Sequence, residues 1–149
     1  MSRDNETECV ASPGPLAAVR GWLREACPLI DKQGRFNASY LGARPTEYAL
    51  ALAGESHRQD VCGGDILTLN LVFLARLPFG EALGQNLAAA DFFAALSGWL
   101  RTAERAHAYP ALPGYAASRL TVSNAGLVLD ADAASARYQL QFTLIFEEV

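Results

Sequence analysis

The residues able to do chemistry are few and scattered. There are two histidines, His57 and His107, and three thiols, Cys9, Cys27 and Cys62. Cys62 precedes Gly63 and Gly64, a glycine-rich setting in which a nucleophile could sit. A reactive thiolate needs an electropositive pocket and usually a histidine partner. His57 stands five residues away across an expected loop, and the glycines are better explained by a turn into the strand that follows. His107 falls near an expected helix end, where an imidazolium suits the dipole. Cys9 and Cys27 read as tail and helix-end residues. Asp130 and Asp132 resemble a fragment of a calcium loop. The third acid, the central glycine and the closing glutamate are missing, so a solvated turn is the better account. The chain has no P-loop, dinucleotide glycine fingerprint, CxxC pair or HExxH run. No catalytic, cofactor-binding or metal-binding residue is assigned, and no cofactor is expected.

The totals narrow the classes. The chain has 149 residues, 51% of them hydrophobic and 19% charged, which fits one globular domain with a real core. A formal net charge of −4 argues against a surface built to grip nucleic-acid phosphates. Lys32 is the single lysine; the other basic residues are arginines. No stretch approaches the ~20 apolar residues of a membrane span, so no membrane partner is expected. The first residues, MSRDNETECVASPG, lack the apolar core of a secretory signal. They read as a flexible or loosely packed segment over residues 1–14 of a single domain. Reduced thiols are then expected.

The positioning elements follow from periodicity. From Tyr138 onward the chain alternates: Tyr138, Leu140, Phe142, Leu144 and Phe146 share one face of a strand. Asp65 to Leu77 is a second long strand with Leu67, Leu69, Leu71, Phe73, Ala75 and Leu77 on one face. A helix is expected from Pro15 to Cys27, ended by Pro28. Short strands are expected over Phe36–Leu41 and Glu47–Ala53, and a polar connection over residues 54–64. Glu81–Leu87 suggests a helical turn, and Asp91 can cap a main helix running to His107. Phe92, Leu96, Trp99, Leu100 and Ala103 form its apolar stripe, with Arg101, Glu104 and Arg105 on the wet side. Arg119–Ser123 and Gly126–Asp130 read as short strands around a turn at Asn124. The order α-β-β-β-α-β-β-β gives an α+β fold: a mostly antiparallel sheet covered by two main helices. Long apolar strands expose sheet edges that must be covered or paired, which leans towards assembly.

Several segments together resemble a known family. YLGARPTEY (Tyr40 to Tyr48) is similar to a YLG-x-x-PTEY segment. Phe92-Phe93 through Trp99-Leu100, then Leu112-Pro113, is similar to an FY…F-x-x-W(L/I)…LP pattern. Gly126 to Asp132, then Ala136 to Gln141, is similar to G-x-LFDAD-x-x-x-ARYQIQ. Trp22-Leu23-Arg24-Glu25, with Cys27-Pro28-Leu29, also fits. In this order and spacing, over roughly residues 15 to 147, the chain resembles small minor capsid or tail proteins from long-tailed phages and prophages of Gram-positive bacteria. It looks like a tail terminator (tail-completion protein). Phe93 replaces the second aromatic of the FY pair, and the 54–64 connection is poorer in charge and richer in glycine.

The resemblance implies a tail-terminator-like subunit that assembles with itself into a ring, typically a hexamer. The ring would cap the tail tube protein and meet a head-completion or connector protein, with DNA only as passing cargo. The chain would be assembled in the bacterial host cytoplasm and reside in the virion tail. The family carries no catalytic residues, so the chain is not expected to be an enzyme. At the matching positions Tyr40, Tyr48, Phe92, Trp99, Tyr138 and Phe142 are expected in the core. Arg58, Arg76, Asp130, Asp132 and Arg137 are expected at subunit contacts. The alternatives are a head–tail connector or minor capsid component, a small cytoplasmic thiol enzyme using Cys62, and a small-molecule binding module.

Overall fold

The computed structural model describes residues 14–30, 35–38, 41, 47–78, 83–131 and 135–149; for 78, 83–86, 124–131 and 135 it describes the backbone alone. Among the described residues two helices and five strands occur in the order α1 (Pro15–Ala26), β1 (Arg35–Ala38), β2 (Glu47–Gln59), β3 (Asp65–Pro78), α2 (Leu83–Ala106), β4 (Tyr115–Ala131) and β5 (Ser135–Glu148). The fold is α+β with more strand than helix. The strands form one sheet in the order β1-β2-β3-β5-β4. β1 and β2 are parallel; the other three pairings are antiparallel. The chain leaves β3, crosses along α2, enters at the sheet edge as β4, and returns as β5 between β3 and β4.

Both helices cover the same face of the sheet. The alternating residues Leu67 to Leu77 of β3 and Ala136 to Phe146 of β5 join Val19 and Leu23 of α1, and Ala89, Phe93, Leu96, Leu100 and Ala103 of α2, in one buried core. Aromatic rings tie the layers together. Phe73 stands 5.8 Å from Phe36, 5.7 Å from Tyr48 and 6.4 Å from Phe93. Trp22 meets Trp99 at 5.1 Å and joins α1 to α2. Tyr48, Tyr138 and Phe142 are core residues as expected, while Phe92 and Trp99 are partly buried at its margin. Tyr40 lies outside the described residues.

Local chemistry explains the ends of the elements. Pro15 begins α1, where its missing N–H costs nothing. Cys27 is already extended, with ψ 116°, because Pro28 follows it. Arg20 of α1 donates through Nε (2.7 Å) and a terminal guanidinium nitrogen to the Phe36 carbonyl, fixing α1 against β1. The last turn of α2 closes in a Schellman arrangement. Ala108 N–H donates to the Ala103 carbonyl at 2.9 Å, and His107 N–H to the Glu104 carbonyl at 3.1 Å. His107 takes φ 54°, the left-handed conformation that usually falls to glycine.

Several expected boundaries are corrected. β2 runs on to Gln59, so the connection to β3 is only the turn around residues 60–64. Asp60 organises that turn: its Oδ1 accepts Cys62 N–H at 2.7 Å and Gly64 N–H at 3.1 Å, and Gly63 has φ 90°. α2 is one helix from Leu83, so residues 83–87 of the separate turn expected at Glu81–Leu87 belong to it (Glu81 lies outside the described residues), and Asp91 lies inside the helix instead of capping it. β4 is a single 17-residue strand. The expected break near Asn124 is a ladder irregularity, one of four register shifts along β4. Such bulges bend a strand without ending it. β1 is described over Arg35–Ala38; the expected end at Leu41 is not in a strand, and Ser39 and Tyr40 lie outside the described residues.

Candidate assembly surface

Register across the sheet defines the face the helices leave open. Directly opposed residues share a face, so β3 contributes Ile66, Thr68, Asn70, Val72, Leu74 and Arg76. Their partners on β5 are Glu147, Ile145, Thr143, Gln141, Gln139 and Arg137. Apart from Asn70 and Glu147, which are exposed, these side chains are half-buried. The middle of the face is uncharged. Thr143 Oγ1 donates to Asn70 Oδ1 at 3.0 Å across it, and a depression of ≈ 150 Å³ lies beside them, reaching Ser123 and Gln141.

Charge is confined to the two ends of this face. One end carries a single cross-strand row: Arg35, Glu47, Arg76, Arg137 and Asp130 are successive Cα partners from β1 to β4. Glu47 is only 2% exposed, and its Oε2 accepts a hydrogen bond from Asn37 Nδ2 at 3.1 Å. A carboxylate so enclosed requires such donors and neighbouring cations. Arg137 is half-buried, and its Nε is shielded from water with no hydrogen-bond partner among the described residues. The other end carries Arg58 and Glu147, which flank Ile66 in register, and Arg119 of β4, the Cα partner of Ile145 at the sheet edge.

Four of the five expected contact residues therefore fall on rows of one face. Arg76, Arg137 and Asp130 share the row at one end and Arg58 stands at the other. For Asp130 the placement is one of backbone register; Asp132 lies outside the described residues. Sequence reading missed Glu47, which was taken as part of an apolar strand. Its alternation with Tyr48, which places it on the other face, was the available signal.

The helix-side face ends in a polar cluster beyond the helices. His57 is corrected from loop to strand: it lies on β2, and Leu67 is its partner. Its Nδ1 is 2.7 Å from Asp65 Oδ2 and its Nε2 is 3.2 Å from Glu55 Oε2. Tyr115 OH donates to the same Asp65 oxygen at 2.6 Å, and Asp65 N–H donates to Glu148 Oε1 at 3.1 Å. Four segments are thus joined by one exposed network. The hydrogen bonds to Asp65 and then Glu55 raise the His57 pKa above its ordinary value. Hydrogen bonds from Tyr115 and then His57 lower that of Asp65. Tyr115 is pushed up to about 12, chiefly by its bond to Asp65.

A second polar cluster guards the sheet edge. β4 pairs only with β5, so its outer N–H and C=O groups need partners. Glu104 of α2 accepts Leu120 N–H at 3.2 Å and also the hydroxyl of Tyr109. Tyr109 OH also stands 3.3 Å from the Ser118 carbonyl. Burial, and then Glu104, push the Tyr109 pKa up to about 12.

The remaining reactive groups are held apart. Cys62 is exposed in the Asp60 turn, while His57 is engaged by Glu55 and Asp65. Cys27 is buried, and that burial raises its pKa. Cys9 lies outside the described residues. His107 Nδ1 stands 3.2 Å from Tyr109 OH. Among the described residues no group of three or more His, Cys, Asp or Glu is placed to hold a metal ion. No described helix is long and apolar enough to cross a membrane. No protein-family model matches the chain, and no curated protein is significantly similar to it in sequence.

Proposed function

We propose that this chain is a structural subunit of a phage or prophage tail, a tail terminator whose copies close into a ring over the end of the tail tube. The observation that carries the reading is the open sheet face. It is neutral across its middle, charged at both ends, and holds Arg137, whose Nε is shielded and has no hydrogen-bond partner among the described residues. A guanidinium nitrogen in that position gains most from an acceptor supplied by another chain. The family resemblance supplies the identity of the assembly: self-contacts within a hexamer, the tube protein on one side, a head-completion or connector protein on the other, and DNA passing through. The reading needs no cofactor and no catalytic group.

Two measurements test it. In the first, tube protein is polymerised with and without the chain; a terminator bounds tube length and is seen at one tube end by negative stain. Binding to a portal-side adaptor, with tube growth unaffected, would instead make the chain a head–tail connector. In the second, Arg137→Ala is compared with the unaltered chain. Assembly is expected to weaken while the melting temperature changes little, since a partly exposed charge contributes only about 0–1 kcal/mol to folding. Equal loss of folding and assembly would remove Arg137 from the interface.

A further inference from the structure

A groove of ≈ 370 Å³ runs between the last turns of α2 and the edge strand β4. Arg101 and Arg105, one helical turn apart, and Arg119 on β4 line it, together with Leu120 and Val122. All three arginines are exposed. None has a carboxylate partner among the described residues. Among the described residues Arg105 donates only to Thr102 Oγ1, at 3.3 Å. The carboxylate within the groove, Glu104, is occupied by Tyr109 and the Leu120 N–H. The groove thus offers three exposed guanidiniums against the single Glu104 carboxylate, beside apolar side chains, which suits a short acidic segment.

The chain carries the complementary surface elsewhere. The end of the sheet at the β2–β3 turn gathers Glu55, Asp60, Asp65, Glu147 and Glu148, against His57 and Arg58. Glu55 and Asp65 are already held by His57, and Glu148 by the Asp65 N–H. Glu147 is exposed and has no partner among the described residues. Glu147 is the partner of Ile66 on the open face, whereas Arg101 and Arg105 stand on α2 over the other face, so groove and acidic end are different patches of one molecule. A net charge of −4 makes copies repel in general. A contact that sets opposite charges against each other offsets that repulsion.

We propose that the arginine groove receives the acidic end of β5, around Glu147, from a second copy of this chain. The proposal rests on the reading of the chain as an assembling subunit and specifies how copies meet. Because the two patches differ, the contact is heterologous. It repeats from copy to copy and ends in a closed ring when the rotation between copies permits.

Charge exchange tests it. The double variant Arg101→Glu/Arg105→Glu reverses the groove, and Glu147→Lys reverses the acidic end. Each protein, and their equimolar mixture, is examined by light scattering across concentration. The unaltered chain is expected to assemble. Each variant alone should assemble at least about tenfold more weakly, and the mixture should recover, since each reversed patch finds its opposite on the other variant. A misfolded variant would not be rescued by mixing. Raising salt to about 1 M, where the screening length is about 3 Å, should weaken the unaltered assembly.

An unaltered chain that stays monomeric at every concentration would overturn the proposal, as would assembly indifferent to both variants. Self-assembly left intact, with loss only of tube binding, would overturn it in favour of an acidic segment of the tube protein. Tube capping by the same variants separates the two readings. A groove variant that still caps tubes would sink the groove contact and leave the subunit reading standing.

Discussion

Single residues set two local balances. His107 holds a left-handed conformation at the end of α2, which costs a non-glycine residue roughly 1–2 kcal/mol. It recovers part of this through its contact with Tyr109. His107→Gly is therefore expected to raise stability by about 0.5–1 kcal/mol, read by chemical denaturation; a loss would show that the Tyr109 contact outweighs the backbone strain. The His57 network gives a pH signature. His57 has a raised pKa, so its contribution is complete below its ordinary value of 6.5 and is lost as pH climbs through the raised one. Asp65 has a lowered pKa, so its contribution is complete above its ordinary 3.8 and is lost as pH falls through the lowered one. The melting temperature should peak between those two ordinary values and decline on the alkaline side. His57→Gln should remove the alkaline decline. An unchanged profile would show that His57 does not link the strands in solution. The groups are exposed, so salt should flatten the effect.

At the scale of elements, the core is carried by one packed layer and one guarded edge. Phe73 is fully buried among Phe36, Tyr48, Phe92 and Phe93. Phe73→Ala should cost about 3–5 kcal/mol in denaturation; a cost under about 1 kcal/mol would mean that the aromatic layer collapses onto the gap. Glu104 serves the edge. Glu104→Ala leaves the Leu120 N–H without its acceptor and should cost about 1–2 kcal/mol. Hydrogen exchange at Leu120 should speed up selectively, and unchanged exchange there would deny Glu104 its covering role. The strands β3 and β5 were legible in the sequence because each alternates cleanly and is covered on one side. The long reach of β2 and β4 was not. Polar residues such as Glu55, His57 and Gln59 mimic a loop, and their strand state is decided by pairing with Leu69, Leu67 and Asp65. Gly126 and Asn124 read as a turn, yet the edge strand absorbs them through register shifts. Asp91 looked like a cap because the apolar stripe strengthens after it. The Ala-rich turn before it already continues the helix, since alanine has the highest helix propensity.

For the whole molecule, the main asymmetry is between the two faces of the sheet. Both helices lie on one side, and the other is left with neutral polar and aliphatic side chains between charged ends. Of the expected contact residues on the open face, Arg76 was legible on a strand, while Arg58 was read in a connection and Asp130 at a turn, and their gathering onto one face needed the register. Arg101, Arg105 and Arg119 were legible only as a wet helix side and a strand start. Nothing local in the sequence brings α2 against β4, because that packing follows from the crossover. The same crossover sets the arginine groove on the helix side while Glu147 belongs to the open face, and a subunit with two unlike patches is suited to forming rings.

The most direct measurement is the absolute mass of the purified chain by light scattering, alone and with tube protein, with the products imaged by negative stain. The account predicts a closed ring, or a monomer that forms a ring on the tube end and halts its growth. A chain that is monomeric alone and indifferent to tubes would contradict it.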